Sequence, residues 1–488
     1  MQNESKHRSI LRRIAHRVMI EKGLLPDFPP EVIAELDKIK EAPNPINTSI
    51  KDLRNLLWCS IDNDDSRDLD QLTVASALAD GTVKIYVAIA DVDELVPKNS
   101  ALDEHAKHNT VSVYTAAEIF PMLPEKLSTD LTSLKLESDR RANVIEMIVD
   151  SDGNIKSSDI YSATVRNHAK LAYNSVARWL EGNGAEPEAI TSVKGLSENI
   201  RLQNQIAQKM KALRVVHGAL GLETIEARPV FLGDEIKSLE EEKSNVAKDI
   251  IQDFMIATNG VTARFLAAKK IPSIRRIVRT PKRWDRIVEL AAQKKFQLPK
   301  EPDSKALDQF LVSEKNADPV RFPDLSLSII KLLGPGEYVV ELPGEDTSGH
   351  FGLAVKDYTH ATAPNRRYPD LITQRLLKAV IRGTLIPYSA EELEVIAKHC
   401  TEEEDAAKKV ERQVEKSAAA MLLESRLGDR FDAIVTGVSE KGTWVRLLNP
   451  PVEGRLMHGT EGMDVGERLR VELTHTDVER GFIDFKKV

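Results

Sequence analysis

An acid-rich stretch near the front of the chain constrains its fold and chemistry more than any other feature. Residues 62–70 contain five aspartates, which are Asp62, Asp64, Asp65, Asp68 and Asp70. Apolar segments at 56–59 and 72–75 flank the stretch and are typical of strands. Like charges at this density repel one another, so they require a compensating cation or an exposed position. The sequence therefore predicts a junction between two strands whose acidic side chains are either solvated or neutralised.

Spacing alone leaves two interpretations of this stretch open. One is a solvated acidic surface loop. The other is a site for Mg²⁺ or Mn²⁺, because these ions prefer hard oxygen ligands. Asp68 and Asp70 are two residues apart and Asp62 is a further even step away, so an extended segment would direct all three to one side. A helix-loop-helix calcium site fits poorly, because the stretch lacks the central glycine and terminal glutamate of that motif.

Four of these aspartates also resemble a family signature. Asp62, Asp65, Asp68 and Asp70 follow the order Asp-x-x-Asp-x-x-Asp-x-Asp, which is similar to the signature of the RNB family of exoribonucleases. The resemblance implies that Asp62, Asp68 and Asp70 hold metal ions, and that Asp65 is a further ligand or supports the ligands without touching the metal. It also implies that Asp70 is catalytic. The family usually has one more aspartate directly after this position, where this chain has Gln71. That departure leaves open an inactive RNA-binding protein on the same fold.

A second signature lies about three hundred residues later, at 358–371. Here Ala363-Pro364-Asn365-Arg366 stands where the RNB family has Ser-Pro-x-Arg, and the segments 110–114 and 119–128 also resemble the family. The resemblance implies that Arg366 contacts the phosphate at the cleavage point, that Arg367 binds RNA and that Tyr114 stacks on a base. A guanidinium is a bidentate, permanently charged clamp for phosphate, and an aromatic ring holds any base by its face.

Two further segments carry expected RNA contacts. Gln252-Asp253-Phe254-Met255 resembles a family helix, which implies that Asp253, and with it Gln252, approaches the terminal ribose. Arg276 matches a family arginine in the segment after that helix. It belongs to residues 269–283, which contain seven basic residues and no acid. This asymmetry predicts either a groove that follows an RNA backbone or an ordinary solvated face.

The pattern along the chain predicts an α+β fold with three parts. Residues 1–48 form a short helical segment, either a helical pair docked on the main body or a nucleic-acid-binding arm. Residues 49–427 form a mixed sheet-and-helix catalytic domain, in which the polar, proline-rich stretch 300–325 is expected to be irregular. Residues 428–488 contain five short strands with glycine at the turns, which predicts a small OB-type barrel. It resembles the RNA-binding barrel named after ribosomal protein S-one, and Trp444 and Phe431 are its expected stacking surfaces.

Composition narrows the class of protein. The net charge of −8 argues against a protein that coats nucleic acid electrostatically, although it is compatible with a local basic channel. The two cysteines, Cys59 and Cys400, argue against a disulfide framework and indicate a reducing cytoplasm. No apolar run approaches the length of a membrane span. Nothing in the sequence indicates obligate assembly, so a monomer is expected.

The sequence as a whole predicts a 3′-to-5′ exoribonuclease that degrades single-stranded RNA processively to nucleoside 5′-monophosphates. The expected cofactor is Mg²⁺ or Mn²⁺, since two metal ions can activate the water and stabilise the leaving oxygen. Two alternatives belong to other classes. The first is an RNA-binding protein without catalysis, suggested by Gln71. The second is a scaffold protein whose acidic loop is merely solvated.

Overall fold

The structure is a computed structural model. It describes residues 7–43, 50–224, 226–242, 244–345, 349–439, 442–463 and 465–488. The expected boundary between residues 48 and 49 lies outside the described residues. The fold mixes helices and sheets and ends in a barrel, as the sequence predicts.

A seven-stranded mixed sheet forms the centre of the main body, with strand order β1-β8-β7-β4-β3-β2-β9. Its strands are β1 (Lys51–Asp52), β2 (Cys59–Asp62), β3 (Gln71–Ala77), β4 (Val83–Ala90), β7 (Asp139–Val149), β8 (Ile155–Arg166) and β9 (Ala169–Ala172). β4 lies near the middle, between β3 and β7, and is almost continuously apolar because helices and strands cover it. Smaller two-stranded sheets pair β5 (Val113–Tyr114) with β6 (Ile119–Phe120), β10 (Glu226–Leu232) with β11 (Glu235–Glu242), and β12 (Ser273–Ile277) with β13 (Glu337–Glu341).

Helices cover the sheet and extend to the barrel. In chain order they are α1 (His7–Glu21), α2 (Pro30–Leu36), α3 (Ala101–Asn109), α4 (Tyr173–Leu180), α5 (Glu188–Thr191), α6 (Leu196–Val216), α7 (Val246–Ala268), α8 (Trp284–Gln293), α9 (Ser304–Ala317), α10 (Phe322–Leu333), α11 (Tyr368–Arg382) and α12 (Ala390–Leu423). α12 begins at a capping box in which Ser389 and Glu392 satisfy each other's backbone N–H groups. No helix in the described part of the chain is long and apolar enough to cross a bilayer.

The N-terminal helix α1 docks on α12. Its apolar stripe, which includes Leu11, Ile14 and Val18, is buried against α12 residues such as Val410 and Val414. Residues three and four apart share one face of a helix, so this stripe needs an apolar partner to be shielded from water. Docking on the main body, one of the two expectations for this segment, is therefore confirmed.

The expectation of an irregular segment at 300–325 is wrong, because α9 and the first turn of α10 occupy most of it. Leu307, Phe310 and Leu311 repeat at helical spacing and are fully buried in a small core with Trp284 and Phe322. Asp303 accepts a hydrogen bond from the backbone of Ala306 and so caps the start of α9. The apolar stripe and the cap outweigh the proline-rich composition on which the expectation was based.

The C-terminal segment forms a closed five-stranded barrel with strand order β14-β15-β16-β18-β17. Its strands are β14 (Arg430–Ser439), β15 (Gly442–Leu447), β16 (Glu453–His458), β17 (Arg468–Asp477) and β18 (Phe482–Lys487). Val435, Val445, Val471 and Phe485 fill its interior, together with Leu423 from the end of α12. The barrel also contacts the main body through Arg446, one nitrogen of which donates to both carboxylate oxygens of Asp324 of α10 at 3.0 Å.

Candidate active site

The acid-rich stretch connects β2 to β3, and a neighbouring loop holds its backbone in place. The Ser133 hydroxyl accepts a hydrogen bond from the Leu69 N–H at 3.0 Å and donates one to the Arg67 carbonyl at 2.9 Å. The carbonyl of Asp70 accepts from the N–H of Ala90 at 2.9 Å. Asp70 is therefore fixed directly before β3, with its side chain turned into the protein.

The carboxylate of Asp70 is completely buried and both of its oxygens are engaged. Oδ2 accepts a hydrogen bond from Nε of Arg366 at 2.8 Å. Oδ1 accepts from the side-chain amide of Asn365 at 2.9 Å. Burial raises the pKa of Asp70 to about 6, and the nearby charge of Asp68 adds to this effect while Arg366 and Asn365 oppose it.

Arg366 joins Asp70 to the other carboxylates of the stretch. Its Nε lies 3.9 Å from Oδ2 of Asp68, and the hydroxyl of Tyr114 donates to the same oxygen at 3.1 Å. Burial works against the charged guanidinium, but the negative charges of Asp70, Asp68 and Asp62 hold the pKa of Arg366 well above its ordinary value. The structure thus brings Asp62, Asp68, Asp70, Tyr114 and Arg366 together around one point.

The loop that presents Arg366 is held by a single buried carboxylate at the start of α11. Asp370 accepts hydrogen bonds from the backbone N–H groups of Thr362 and Ala363, both at 2.8 Å. It also forms a two-point ion pair with Arg367, at 2.7 and 2.9 Å. Arg367 is therefore engaged in supporting the loop, although part of it reaches the cavity described below.

Backbone pairing places Tyr114 beside Arg366. The N–H of Ser112 donates to the Arg366 carbonyl at 2.9 Å, and Val111 forms an isolated bridge with Arg367. The N–H of Tyr114 donates to Glu411 of α12 at 2.9 Å. Tyr114 is 40% exposed, unlike most aromatic side chains of the core, so its ring is available to a ligand.

These residues lie around a cavity of about 620 Å³. Its wall is polar and comes from distant parts of the chain. The polar side chains that line it include Asp62, Gln71, Tyr114, Gln252, Asn259, Arg366, Arg367, Glu404, Lys408 and Glu411. The wall combines acidic side chains, basic side chains and one exposed aromatic ring. Such a wall suits a ligand that carries phosphate groups and nucleobases.

The structure turns Asp253 away from this cavity. Its carboxylate is buried and forms an ion pair with Arg214 of α6. Burial raises its pKa above the ordinary value, and Arg214 opposes that shift. Gln252, the preceding residue of α7, lines the cavity instead. The expectation that Asp253 approaches a ribose is therefore wrong, because successive helical residues point about 100° apart.

Three of the seven basic residues of segment 269–283 are matched by glutamates within the protein. Arg276 is buried and makes a bidentate ion pair with Glu404 at 2.6 and 2.9 Å, with its guanidinium over the ring of Tyr338. The neighbouring Arg275 pairs with Glu341 at 2.5 Å, and Arg279 pairs with Glu337. The expectation that Arg276 binds RNA is not supported, since its charge is already matched inside the protein.

The two aromatic residues expected on the barrel surface differ in position. Phe431 is 5% exposed and packs inside the barrel, so the expectation that it stacks on RNA is wrong. Alternation along β14 directs Phe431, Ala433 and Val435 inward together. Trp444 is half-buried and lines a second cavity, of about 560 Å³, between the barrel, α10 and α12. A stacking role for Trp444 stays a prediction.

Among the residues that the structure describes, no three His, Cys, Asp or Glu side chains are grouped closely enough to hold a metal ion. Asp65 is exposed and does not line the cavity, whereas Asp62, Asp68 and Asp70 all act on Arg366. The donor chemistry of these three fits Mg²⁺ or Mn²⁺, since they are hard oxygen ligands and Asp70 is a buried carboxylate. The ligand set itself stays a prediction.

Asn365 is a site residue whose role sequence reasoning missed. Its amide donates to Asp70, and its carbonyl oxygen accepts from the Thr132 hydroxyl at 2.6 Å. All three residues are buried. The available signal was a polar side chain directly before Arg366 in the second signature, a position where a buried amide requires partners.

Comparison with known protein families gives two matches. Residues 50–383 match the RNB domain, and residues 429–488 match the RNase II-type exonuclease C-terminal S1 domain. The first match alone covers more than half of the chain.

Known proteins and solved structures are similar to the chain along most of its length. It is 27% identical to ribonuclease R 1 of Lactococcus lactis, over 96% of this chain and 60% of that protein. It is 29% identical to ribonuclease R of Vibrio parahaemolyticus, over 88% of this chain and 53% of that protein. The chain thus spans between half and two thirds of the length of these relatives. Mycoplasma genitalium RNase R in complex with ribose methylated single-stranded RNA shares the fold, with a TM-score of 0.89 at 22% identity over 98% of this chain and 78% of that one.

Proposed function

The chain belongs to the RNB family, and from that membership and the geometry of its site we propose that it is a 3′-to-5′ exoribonuclease acting on single-stranded RNA. The observation that carries the proposal is the contact between Arg366 and Asp70 at 2.8 Å, beside the cavity that Tyr114 lines. It joins the two family signatures at one point. The proposed products are nucleoside 5′-monophosphates, released processively.

Tyr114 and the cavity wall select a single strand in this proposal. The exposed ring of Tyr114 offers a stacking surface, and a base can use it only when its own face is free. A paired base in a duplex presents no free face. Gln252, rather than Asp253, is the residue of α7 that contacts the RNA, because it lines the cavity.

Arg366 holds the phosphate that is cleaved. A guanidinium next to carboxylates stays charged and offers two parallel N–H groups to phosphate oxygens. Its hydrogen bond to Asp70 fixes its direction before the substrate arrives. Such preorganised positive charge stabilises the extra negative charge of the transition state more than that of the ground state.

Asp62, Asp68 and Asp70 would hold divalent metal ions, with Mg²⁺ as the proposed ion and Mn²⁺ as a substitute. When bound, such ions lower the pKa of a water and stabilise the leaving oxygen. Burial raises the pKa of Asp70 to about 6, so a bound cation would stabilise its charged form. Asn365 keeps the other Asp70 oxygen in a fixed orientation. A cytoplasmic location and a monomeric state complete the proposal.

The test is degradation of 5′-labelled single-stranded RNA with Mg²⁺, with and without a chelator. We expect mononucleotide release that the chelator abolishes and that Asp70→Asn removes. Asp64→Asn is the matched control, because Asp64 lies in the same acidic stretch but is exposed and outside the family signature. Tight RNA binding without release would instead favour a non-catalytic RNA-binding protein. Absence of both binding and release would contradict every RNA-related function.

A further inference from the structure

A basic surface lies outside the cavity described above, where α1, α12 and the β17–β18 hairpin meet. Its concavity has a volume of about 390 Å³. We call it the basic groove and define it by its six cationic residues, which are Arg17, Lys22, Lys409, Arg412, Lys416 and Arg480. Two acidic residues, Glu21 and Glu479, share the wall. The groove is therefore strongly positive on a chain whose net charge is −8.

Most of this positive charge is not matched within the protein. Arg17 faces both acids of the groove, with distances of 3.9 Å to Glu21 and 3.4 Å to Glu479. In the part of the chain that the structure describes, Lys22, Lys409, Arg412 and Lys416 form no ion pair with an acid. This contrasts with Arg275, Arg276 and Arg279, each of which pairs with a glutamate. Unmatched cations that are held close together repel one another, and a bound anionic ligand would reduce this repulsion.

The elements that carry these cations are fixed relative to one another. The hairpin residue Glu479 accepts a hydrogen bond from Arg17 of α1 through its backbone carbonyl at 2.9 Å, and its carboxylate pairs with Arg13. Gly481 in the same turn has φ +65°, and a Cβ there would lie 2.8 Å from the Cβ of Lys416 on α12. Only glycine permits this approach. The charges are thus preorganised rather than spread over mobile loops.

The groove and the cavity both take part of their wall from α12, although no described residue lines both. Lys408 lines the cavity, and Arg412, one helical turn further on, lines the groove. Residues four apart on a helix are neighbours at roughly 5–6 Å. Lys409, Arg412 and Lys416 then share one face of α12, which leads away from the cavity. The aromatic ring of Phe482, 54% exposed, stands at the groove wall.

We propose that the basic groove binds the sugar–phosphate backbone of single-stranded RNA, on the 5′ side of the nucleotides held in the cavity. This inference rests on the proposed function, because it takes the same RNA as ligand. A positive groove with an exposed aromatic ring is the combination that holds single strands without reading their sequence. RNA is favoured over an acidic protein partner because the groove begins one helical turn from the cavity into which the same polymer enters.

The test compares long and short RNA on the intact protein. The groove variant is Lys22→Gln, Lys409→Gln and Arg412→Gln combined. The control is Lys38→Gln, Lys300→Gln and Lys305→Gln combined, which removes three exposed lysines outside the described cavities. Binding is measured in chelator, so that the RNA is not cleaved, with uniform single strands of about 5 and about 25 nucleotides.

We expect the groove variant to bind the long RNA at least about tenfold more weakly, and the slope of log K against log salt to shrink by about 2, since each lost contact to a single strand contributes roughly 0.7. Binding of the short RNA, mononucleotide release from it and the melting temperature stay unchanged. The control variant keeps the wild-type affinity and slope for both RNAs.

Two outcomes would overturn the inference. If the groove variant and the wild type bind the long RNA with equal affinity and equal salt dependence, the groove does not bind RNA. Another ligand, such as an acidic protein, would then be indicated. An equal loss on both RNAs would place the effect in the cavity. The proposed enzymatic function fails separately, because a wild type that binds long RNA through the groove yet releases no nucleotide supports the groove and contradicts catalysis.

Discussion

Nε of Arg366 donates a hydrogen bond to Oδ2 of Asp70 over 2.8 Å, although the two residues are 296 positions apart in the chain. The start of β3 fixes the position of Asp70, and the loop that Asp370 holds before α11 fixes the position of Arg366. The contact forms only when both elements are in place. The contact therefore reports directly on whether the catalytic half of the fold is assembled.

Replacing Arg366 by lysine keeps one positive charge but removes the planar, two-point donor. We expect kcat for mononucleotide release to fall by about 100-fold or more, with less than about tenfold weaker binding of short RNA, because the lost contact matters most in the transition state. Steady-state kinetics on a short single strand separate kcat from KM. Activity within threefold of wild type would show that Arg366 is not the phosphate clamp.

Replacing Asn365 by leucine removes the amide between Asp70 and Thr132. We expect a loss of activity together with a loss of about 2 kcal/mol in the free energy of unfolding, because buried polar partners are left unsatisfied. Thr132→Val is the matched control: it disturbs the same buried network but leaves the bond to Asp70. It should lower stability, measured by urea unfolding, without lowering kcat. Equal kinetic effects of both variants would contradict a role of Asn365 in orienting Asp70.

Adjacent residues of α7 should give opposite results. Gln252→Ala is expected to raise KM for RNA severalfold and leave stability unchanged, because Gln252 lines the cavity. Asp253→Asn should leave KM unchanged and destabilise the fold by about 2 kcal/mol, because it weakens a buried ion pair with Arg214. Kinetics and thermal unfolding of both variants test this. If KM rises only in Asp253→Asn, Asp253 rather than Gln252 contacts the RNA, as family resemblance implies.

His105 should make the stability depend on pH. Burial lowers its pKa from 6.5 to about 4, with the charge of His108 adding to this, and its Nδ1 is buried without a partner in the described structure. The unfolded chain takes up this proton near pH 6.5, so stability is full above that pH and falls as the pH decreases towards 4. The loss is about 2 kcal/mol by pH 5 for this one residue.

The variant His105→Leu should flatten this part of the stability profile between pH 7 and pH 5, measured by urea unfolding. His217→Leu serves as the control, because His217 is an exposed histidine at the end of α6 and does not act on His105. An unchanged slope in His105→Leu would mean that other buried groups cause the acid sensitivity.

Family resemblance and strand pattern predicted the α+β fold, the terminal barrel and the pair of signatures that meet at the site. Local patterns suffice for these features, since alternation, turn residues and helical stripes act over a few residues. Family resemblance also linked the acidic stretch to Arg366, because both segments match signatures of the same family. The expected contacts of Asp253 and Arg276 failed because the partner of each side chain lies far away in the chain. The expectation for 300–325 failed for a different reason, since it overlooked a local helical stripe and cap.

What the sequence by itself determined was which residue types are available for chemistry and which segments are strands or helices. Tertiary structure decided which charges remain free. Arg276, within the densest basic cluster of the sequence, is matched by Glu404, and Asp253 is matched by Arg214. The basic groove is instead assembled from three elements with no comparable cluster in any one of them. The physical reason is that a charge acts on its neighbours in space, and only packing decides which neighbours those are.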